Sequence, residues 1–311
     1  MNLKKNISLF LKGMAMGAAD VVPGVSGGTI AFISGIYEKL LASINSIDTH
    51  AIKLLSGFKI KELWQYINGN FLLILISGIF LSIVSLSRIV LYLLENHAVL
   101  LWSFFFGLIL GSVFLILPQI KKWHVGVVLA GIIGTIGAFY ITTATPTQTP
   151  EALYFIFFSG ALAICAMILP GISGSFILLI LGKYEYILNS LKEFNISVIL
   201  TFGAGCIAGL LTFARVLKHL LNNYHNITIA ILTGFMLGSL NKVWPWKETI
   251  ETFTDRHGNI KPLIQRNVSP FDFKEITGQE PYFIGAVALA IIGFVAVYLL
   301  GSLSMRKETK A

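Results

Sequence analysis

A polar break in an apolar stretch gathers Asp20, Ser26, Gly27, Gly28 and Thr29 around Pro23 and Gly24. Proline removes a backbone donor and glycine favours non-helical angles, so such a break frees N–H groups ahead of a half-helix whose N-terminal end is positive. With the Ser26 and Thr29 hydroxyls added, these donors suit an anion, and phosphate or carboxylate matches them best. Ser173, Gly174 and Ser175, which follow Pro170-Gly171-Ile172, offer the same donors again. The plainer alternative is that small residues at both places merely let helices pack closely.

Arg88 and Arg215 are the next candidates, each alone in a long apolar segment and a few residues before its end. An arginine at membrane depth is costly unless it is paired or faces a wet cavity, and its planar fork of donors fits a phosphate. Snorkelling of each side chain to a helix end is the alternative. Asp20 is a candidate for binding a coupling proton or sodium ion, or else caps the half-helix or pairs with a cation. Glu38 and Glu185, with Lys39 and Lys183 nearby, read at least as well as surface ion pairs.

The elements that would position these residues are written twice. Pro23-Gly24-Val25-Ser26-Gly27 recurs as Pro170-Gly171-Ile172-Ser173-Gly174, and each proline is followed by a glycine (Gly35, Gly182) and a Tyr-Glu pair (Tyr37-Glu38, Tyr184-Glu185) at the same spacing. Gly78, Arg88, Gly107, Gly111 and Ser112 recur as Gly205, Arg215, Gly234, Gly238 and Ser239 at an offset of 127 residues, against 147 for the proline motif. The difference is one local insertion between Leu41 and Gly78 in the first half. An ordered set of this kind indicates duplication, as in many transporters. Met167 stands where the first half has Asp20, so that carboxylate is unmatched.

Composition sets the solvent. Of 311 residues, 55% are hydrophobic and 12% charged, and mean hydropathy is +0.79. Several uncharged stretches are long enough to cross a hydrocarbon core of about 30 Å. The net charge of +8 sits in short clusters, Lys4/Lys5/Lys12, Lys121/Lys122 and Arg306/Lys307/Lys310, which report orientation rather than a nucleic-acid surface. Residues 1 to 12 do not read as a cleaved leader, so the N-terminus is expected in the cytoplasm. Cys165 and Cys206 lie in apolar segments at non-equivalent repeat positions and read as packing residues. The six histidines lack metal-ligand spacing, so neither a metal nor another cofactor is expected beyond the coupling ion. Gly24-Val25-Ser26-Gly27-Gly28 fits the hydrolase Gly-x-Ser-x-Gly pattern, but no strand precedes it, and the second copy ends in Ser175.

The expected architecture is an all-α polytopic membrane protein of two inverted-topology repeats, residues 1–145 and 146–311. Repeat 1 comprises a re-entrant helix-break-helix hairpin at 13–41, an amphipathic cytoplasmic helix at 50–67 and crossings at 71–94, 98–117 and 125–141. Repeat 2 comprises a hairpin at 160–188, crossings at 196–221 and 227–243, an extracytoplasmic loop at 245–280 and a crossing at 282–303. Basic clusters put both termini, Lys121/Lys122 and Lys218/His219 inside. Counting each broken segment as a crossing would instead make the repeats parallel. The loop suggests a small hairpin turning at His257-Gly258-Asn259, and Trp244 and Trp246 read as interfacial anchors. Gly107-x-x-x-Gly111 and Gly234-x-x-x-Gly238 read as helix contacts within the chain or between subunits, which leaves a homo-oligomer open.

At Lys12-Gly13-Met14-Ala15-Met16-Gly17-Ala18-Ala19-Asp20-Val21-Val22-Pro23-Gly24-Val25-Ser26-Gly27-Gly28-Thr29 and Leu169-Pro170-Gly171-Ile172-Ser173-Gly174-Ser175 the chain resembles the bacterial polyprenyl-phosphate transporters of the PopT type, formerly an uncharacterised membrane-domain family. The likeness extends over nearly the whole chain. It implies a non-enzymatic transporter of the cytoplasmic (inner) membrane that moves undecaprenyl phosphate from the outer to the inner leaflet and recycles the lipid carrier of cell-envelope synthesis. Its partners would be that substrate and membrane lipid. In that reading Ser26, Gly27, Gly28, Thr29, Ser173, Gly174 and Ser175 line the path of the head group, with Arg88 and Arg215 as charge partners. An ion-coupled transporter of a small soluble anion would use the same half-helix ends. A membrane-embedded lipid phosphatase would want more intramembrane histidine and carboxylate.

Overall fold

The computed structural model describes residues 3–21, 25–144, 147, 149–254 and 260–308. The first half runs α1 (Leu3–Asp20), α2 (Gly27–Ile33), α3 (Tyr37–Asn45), α4 (Thr49–Ser56), α5 (Ile60–Tyr66), α6 (Gly69–Asn96), α7 (Ala98–Ile116), a 3-10 turn (Leu117–Gln119) and α8 (Val125–Thr143). The second runs α9 (Leu153–Ile168), α10 (Gly174–Ile180), α11 (Tyr184–Lys192), α12 (Ile196–Asn223), α13 (His225–Ser239), β1 (Lys247–Thr254), β2 (Ile260–Asn267), α14 (Phe273–Thr277) and α15 (Phe283–Glu308). Among the described residues, four helices are long and apolar enough to cross a membrane: α6, α7, α8 and α12. They carry outward apolar side chains such as Phe80, Ile133 and Leu200, each more than half exposed, as lipid-facing surfaces do.

Four helix pairs build the bundle, and glycine sets each contact. A Cβ added at Gly13 or Gly17 of α1 would collide with the backbone of Leu75 or Ile79 on α6. One at Gly205 or Gly209 of α12 would meet Phe157 or Ala161 on α9. Gly107 and Gly111 of α7 lie against Ala290 and Phe294 of α15, and Gly234 and Gly238 of α13 against Gly131 and Thr135 of α8. In every pair the two numbers rise together, so the helices run parallel. Both Gly-x-x-x-Gly pairs are thus used within the chain. Buried Ser103 and Ser112 turn their hydroxyls back to the carbonyls of Val99 and Leu108, which lets α7 occupy the core without orphaned polar groups.

The two proline regions fold alike after their breaks. Each short helix, α2 or α10, ends in a glycine with left-handed backbone, Gly35 at φ 73° and Gly182 at φ 62°, before α3 or α11 begins. That is the conformation a Cβ resists, which explains the repeated glycine twelve residues after each proline. The limbs are unequal, however: α1 has 18 residues and α2 only 7. The first limb therefore begins at Leu3, well before residue 13. Pro23 and Gly24, the centre of the first break, lie outside the described residues.

Several expectations are corrected. The stretch 50–67 is two helices, because Phe58 adopts φ 54° after Gly57 and ends α4. Asp48 holds both pieces: its Oδ1 accepts from the N–H groups of His50 and Ala51, and its Oδ2 from the Tyr66 hydroxyl at 2.8 Å. These bonds hold the Asp48 carboxyl below the usual carboxylate range. The crossing expected at 227–243 ends at Ser239 and gives way to turns. The loop at 245–280 does contain a hairpin, with Lys247 paired to Asn267 and Thr254 to Ile260, while its turn at His257-Gly258-Asn259 lies outside the described residues.

Trp246 is not a lipid-facing anchor. It is buried, its indole donates to the Pro281 carbonyl at 2.9 Å, and Trp244 donates to the Val268 carbonyl at 3.0 Å. Together they fasten the hairpin to α7 and α15. Lys183 is buried rather than on the surface, donating to the Thr149 carbonyl beside the rings of Phe155 and Tyr186.

Candidate functional site

The two broken regions meet in the interior. Ser26, extended at φ −123° and ψ 135°, caps α2 by accepting the Gly28 N–H at 3.0 Å, and its own hydroxyl donates to the Met167 carbonyl at 2.9 Å. The Gly171 N–H donates to the Thr29 hydroxyl oxygen at 2.9 Å, and the Tyr37 hydroxyl donates to the Ile168 carbonyl at 3.2 Å. A helix C-terminus leaves carbonyls without intrahelical partners, so α9 ends on hydroxyls supplied by the other half of the chain. Ser26 and Thr29 are fully buried. Gly28 has no room for a Cβ against the Met167 and Ile168 carbonyls, and Gly171 sits at φ +93°.

Asp20 completes the first copy: its Oδ1 accepts the Gly27 N–H at 2.7 Å. The Thr29 N–H is also used, donating to the Ser26 carbonyl at 2.9 Å. The donors at the start of α2 are thus taken within the chain, and the anion at this half-helix end is the protein's own carboxylate. The second copy is different. Met167 replaces the aspartate, Ser173 makes no side-chain cap to α10, and the hydroxyls of Ser173 and Ser175 bond each other at 2.8 Å. Gly174 packs against Ala163.

Neither arginine takes part in the hydrogen bonds of this junction. Arg88 and Arg215 stand at the same step of α6 and α12, both 28 residues long, and both are exposed. Among the described residues neither guanidinium group forms a hydrogen bond or ion pair. Arg215 lines a cavity of about 510 Å³ with Asn45, Asp48, Lys218, His219 and Asn222. Asn45 donates to the Ala214 carbonyl at 2.9 Å, which ties the end of α3 to α12 there, and its Oδ1 is buried without a partner. That cavity carries three groups capable of positive charge against one carboxylate and is suited to an anion.

A second basic cavity, of about 370 Å³, lies where the hairpin meets α8 and α10, and charge spacing along the chain does not signal it. Lys242 and Lys247 line it. Among the described residues no group of three or more histidine, cysteine or acidic side chains could hold a metal ion.

The sequence profile of the VCA0040-like family, described as undecaprenyl phosphate translocase-like, matches residues 16–261. The chain belongs to that family. The match takes in both broken motifs and both arginines of this VCA0040-like protein. It is similar to a polyprenyl-phosphate transporter of Vibrio cholerae serotype O1 (strain ATCC 39315 / El Tor Inaba N16961), with 47% identity over 291 residues and 94% of each chain covered. A polyprenyl-phosphate transporter of Staphylococcus aureus (strain NCTC 8325 / PS 47) is 35% identical over 253 residues, covering 76% of this chain and 85% of the relative. Both relatives are named as transporters, not enzymes. No solved structure matches the chain.

Proposed function

We propose that this VCA0040-like protein is a lipid flippase that carries undecaprenyl phosphate from the outer to the inner leaflet of the bacterial cytoplasmic membrane, recycling the carrier lipid for cell-wall and other envelope synthesis. Membership in the family and the names of the two relatives supply the substrate class. The observation that carries the mechanism is that Arg88 and Arg215 occupy the same step of two equally long helices, and that one of them lines a basic cavity.

The two halves are read as inverted repeats with re-entrant hairpins. Consecutive crossings α7 and α8 must run in opposite directions, α13 is parallel to α8, and so α13 opposes its own counterpart α7. Parallel packing of α6 on α1, with Leu75 beside Gly13, supports the hairpin: residues 21–68 must bring the chain back to the face from which α1 started. The same holds for α9 and α12. With the basic clusters inside, both termini are cytoplasmic, Arg88 lies toward the outer face and Arg215 toward the inner one. Exposed Ile52, Leu55 and Phe58 would then rest α4 and α5 on the inner leaflet.

In this mechanism the phosphate is taken up at the outer face and passes the junction of the two broken motifs while the tail remains in lipid. It is released beside Arg215 as one half rocks against the other. At the junction it would draw on Ser26, Gly27, Gly28 and Thr29 and on Ser173, Gly174 and Ser175. Asp20, already seated on the Gly27 N–H, would exchange with the incoming phosphate and bind the coupling proton or sodium ion.

The test is leaflet-resolved movement of labelled undecaprenyl phosphate in vesicles holding the purified protein, with Arg88→Ala and Arg215→Ala alongside. Both variants are expected to insert normally and to transport at least about tenfold more slowly, as for loss of a charged contact worth about 1.4 kcal/mol or more. Full-rate movement in both would remove the arginines from the mechanism. No movement by the unaltered protein under any ion gradient would favour transport of a small soluble anion.

A further inference from the structure

The cavity of about 370 Å³ at the hairpin end of the bundle is lined by Thr142, Phe176, Lys242, Lys247, Arg266 and Asn267, among others. Its charges are unbalanced. Arg266 is paired with Glu248 at 2.7 Å, whereas among the described residues neither Lys242 nor Lys247 meets a carboxylate. Each ammonium group instead rests over an aromatic ring, Lys247 over Trp102 at 4.0 Å and Lys242 over Phe176 at 4.3 Å. Lys247 also donates to the Lys242 backbone carbonyl, which fixes its ammonium group beside that residue.

Two half-buried like charges held near one another repel each other, and an anion between or beside them relieves that repulsion. The surrounding groups suit that anion. Asn241, Gln265 and Asn267 bring amides to the wall, and the Asn267 amide is fixed by donating to the Asn241 backbone and side-chain oxygens at 2.8 Å. The volume falls in the range of small-ligand sites, about 300–1,000 Å³. Phe176 and Leu179 belong to α10, the short helix that follows Ser173, so the cavity adjoins the second broken motif. Basic side chains are also disfavoured at the outer ends of membrane segments, and a site that needs them there accounts for their presence.

We propose that this cavity is a binding site for a phosphate monoester head group, held by the Lys242 and Lys247 ammonium groups before it reaches the second broken motif. In so far as the monoester belongs to a lipid, the inference rests on the transport reading above. The apolar side chains of Phe176, Leu179 and Ile264 in the lining accept the first carbons of an esterified chain, whereas inorganic phosphate engages the two lysines alone.

The experiment is titration calorimetry on the full-length protein in detergent, with farnesyl phosphate and inorganic phosphate as separate titrants. Lys242→Gln and the double variant Lys242→Gln/Lys247→Gln are compared with the unaltered protein. Farnesyl phosphate is expected to bind the unaltered protein at least about tenfold more tightly than the double variant, the scale of a lost charge-assisted contact. Lys242→Gln removes only a ring contact and the charge, so it reports on the site even if loss of Lys247 disturbs the hairpin; a several-fold loss is expected there. Equal affinity in unaltered protein and Lys242→Gln, with the double variant folded and equally tight, overturns the site.

Transport measured in parallel separates the two readings. Full transport with unchanged phosphate affinity in the variants rejects the cavity and leaves the flippase reading intact. Lysine-dependent binding of inorganic phosphate without any lipid movement supports the cavity and rejects the flippase.

Discussion

The Gly171 N–H donates to the Thr29 hydroxyl at 2.9 Å, a buried hydrogen bond that joins the two broken regions beside those of Ser26 and Tyr37. Thr29→Val keeps the shape and removes the acceptor, leaving that N–H buried and unpaired, which costs about 1–3 kcal/mol. A lower thermal midpoint in detergent is expected, while Thr29→Ser, which retains the hydroxyl, should lose less. Equal midpoints for Val and Ser would mean that the bond contributes nothing to joining the halves.

Asp20 gives a prediction of a different kind, because its carboxylate caps α2 through Gly27 at 2.7 Å. Asp20→Asn keeps an oxygen for that N–H but cannot carry charge or exchange a proton. The protein should fold and insert as before, yet lose the response of transport to a proton or sodium gradient. Transport by Asp20→Asn that still follows the gradient would assign coupling elsewhere, and Asp20→Ala, which removes the cap as well, should also be less stable by about 1 kcal/mol.

The recurrence of glycines and break residues at fixed offsets is legible in the sequence, and the structure sets Gly107 and Gly111 against α15 and Gly234 and Gly238 against α8. Equivalence did not carry over to partners. Ser26 reaches across to Met167, while Ser173 turns to Ser175, and only the first copy has an aspartate to accept from the start of its short helix. The site of Lys242 and Lys247 is not legible in the sequence for a related reason. They fall within a polar loop of mixed charge, and only the folding of the hairpin onto Trp102 and Phe176 brings them to one cavity. The split of 50–67 was equally hidden, since apolar spacing continues through Phe58 although its backbone does not.

Helix packing makes a paired prediction within α8 and α13. A Cβ at Gly234 would strike the Gly131 carbonyl and the Thr135 nitrogen, whereas nothing lies within 4 Å of one at Gly137. Gly234→Ala should therefore destabilise by about 1–3 kcal/mol through overpacking. Gly137→Ala should stabilise α8 by roughly 0.5–1 kcal/mol through reduced backbone freedom. Thermal midpoints moving the same way in both variants would contradict the close parallel contact of α8 with α13.

Phosphate binding at the hairpin cavity should weaken on the alkaline side sooner than an ordinary lysine would dictate. Burial, with the charge of Lys242 second, holds the Lys247 ammonium well below the usual lysine value, and burial lowers Lys242 as well. A phosphate monoester becomes a dianion above a second pKa of about 6, so affinity should rise through that value and then fall as the lysines lose their protons. The other charged groups at the site are Arg266 and its partner Glu248, joined at 2.7 Å. Lys247→Arg keeps its charge to about pH 12 and should flatten the alkaline limb, while leaving the acidic limb, which belongs to the ligand, in place. Farnesyl phosphate binding followed from about pH 5.5 to pH 10 decides it, and an identical alkaline limb in both proteins would show that Lys247 does not hold the phosphate.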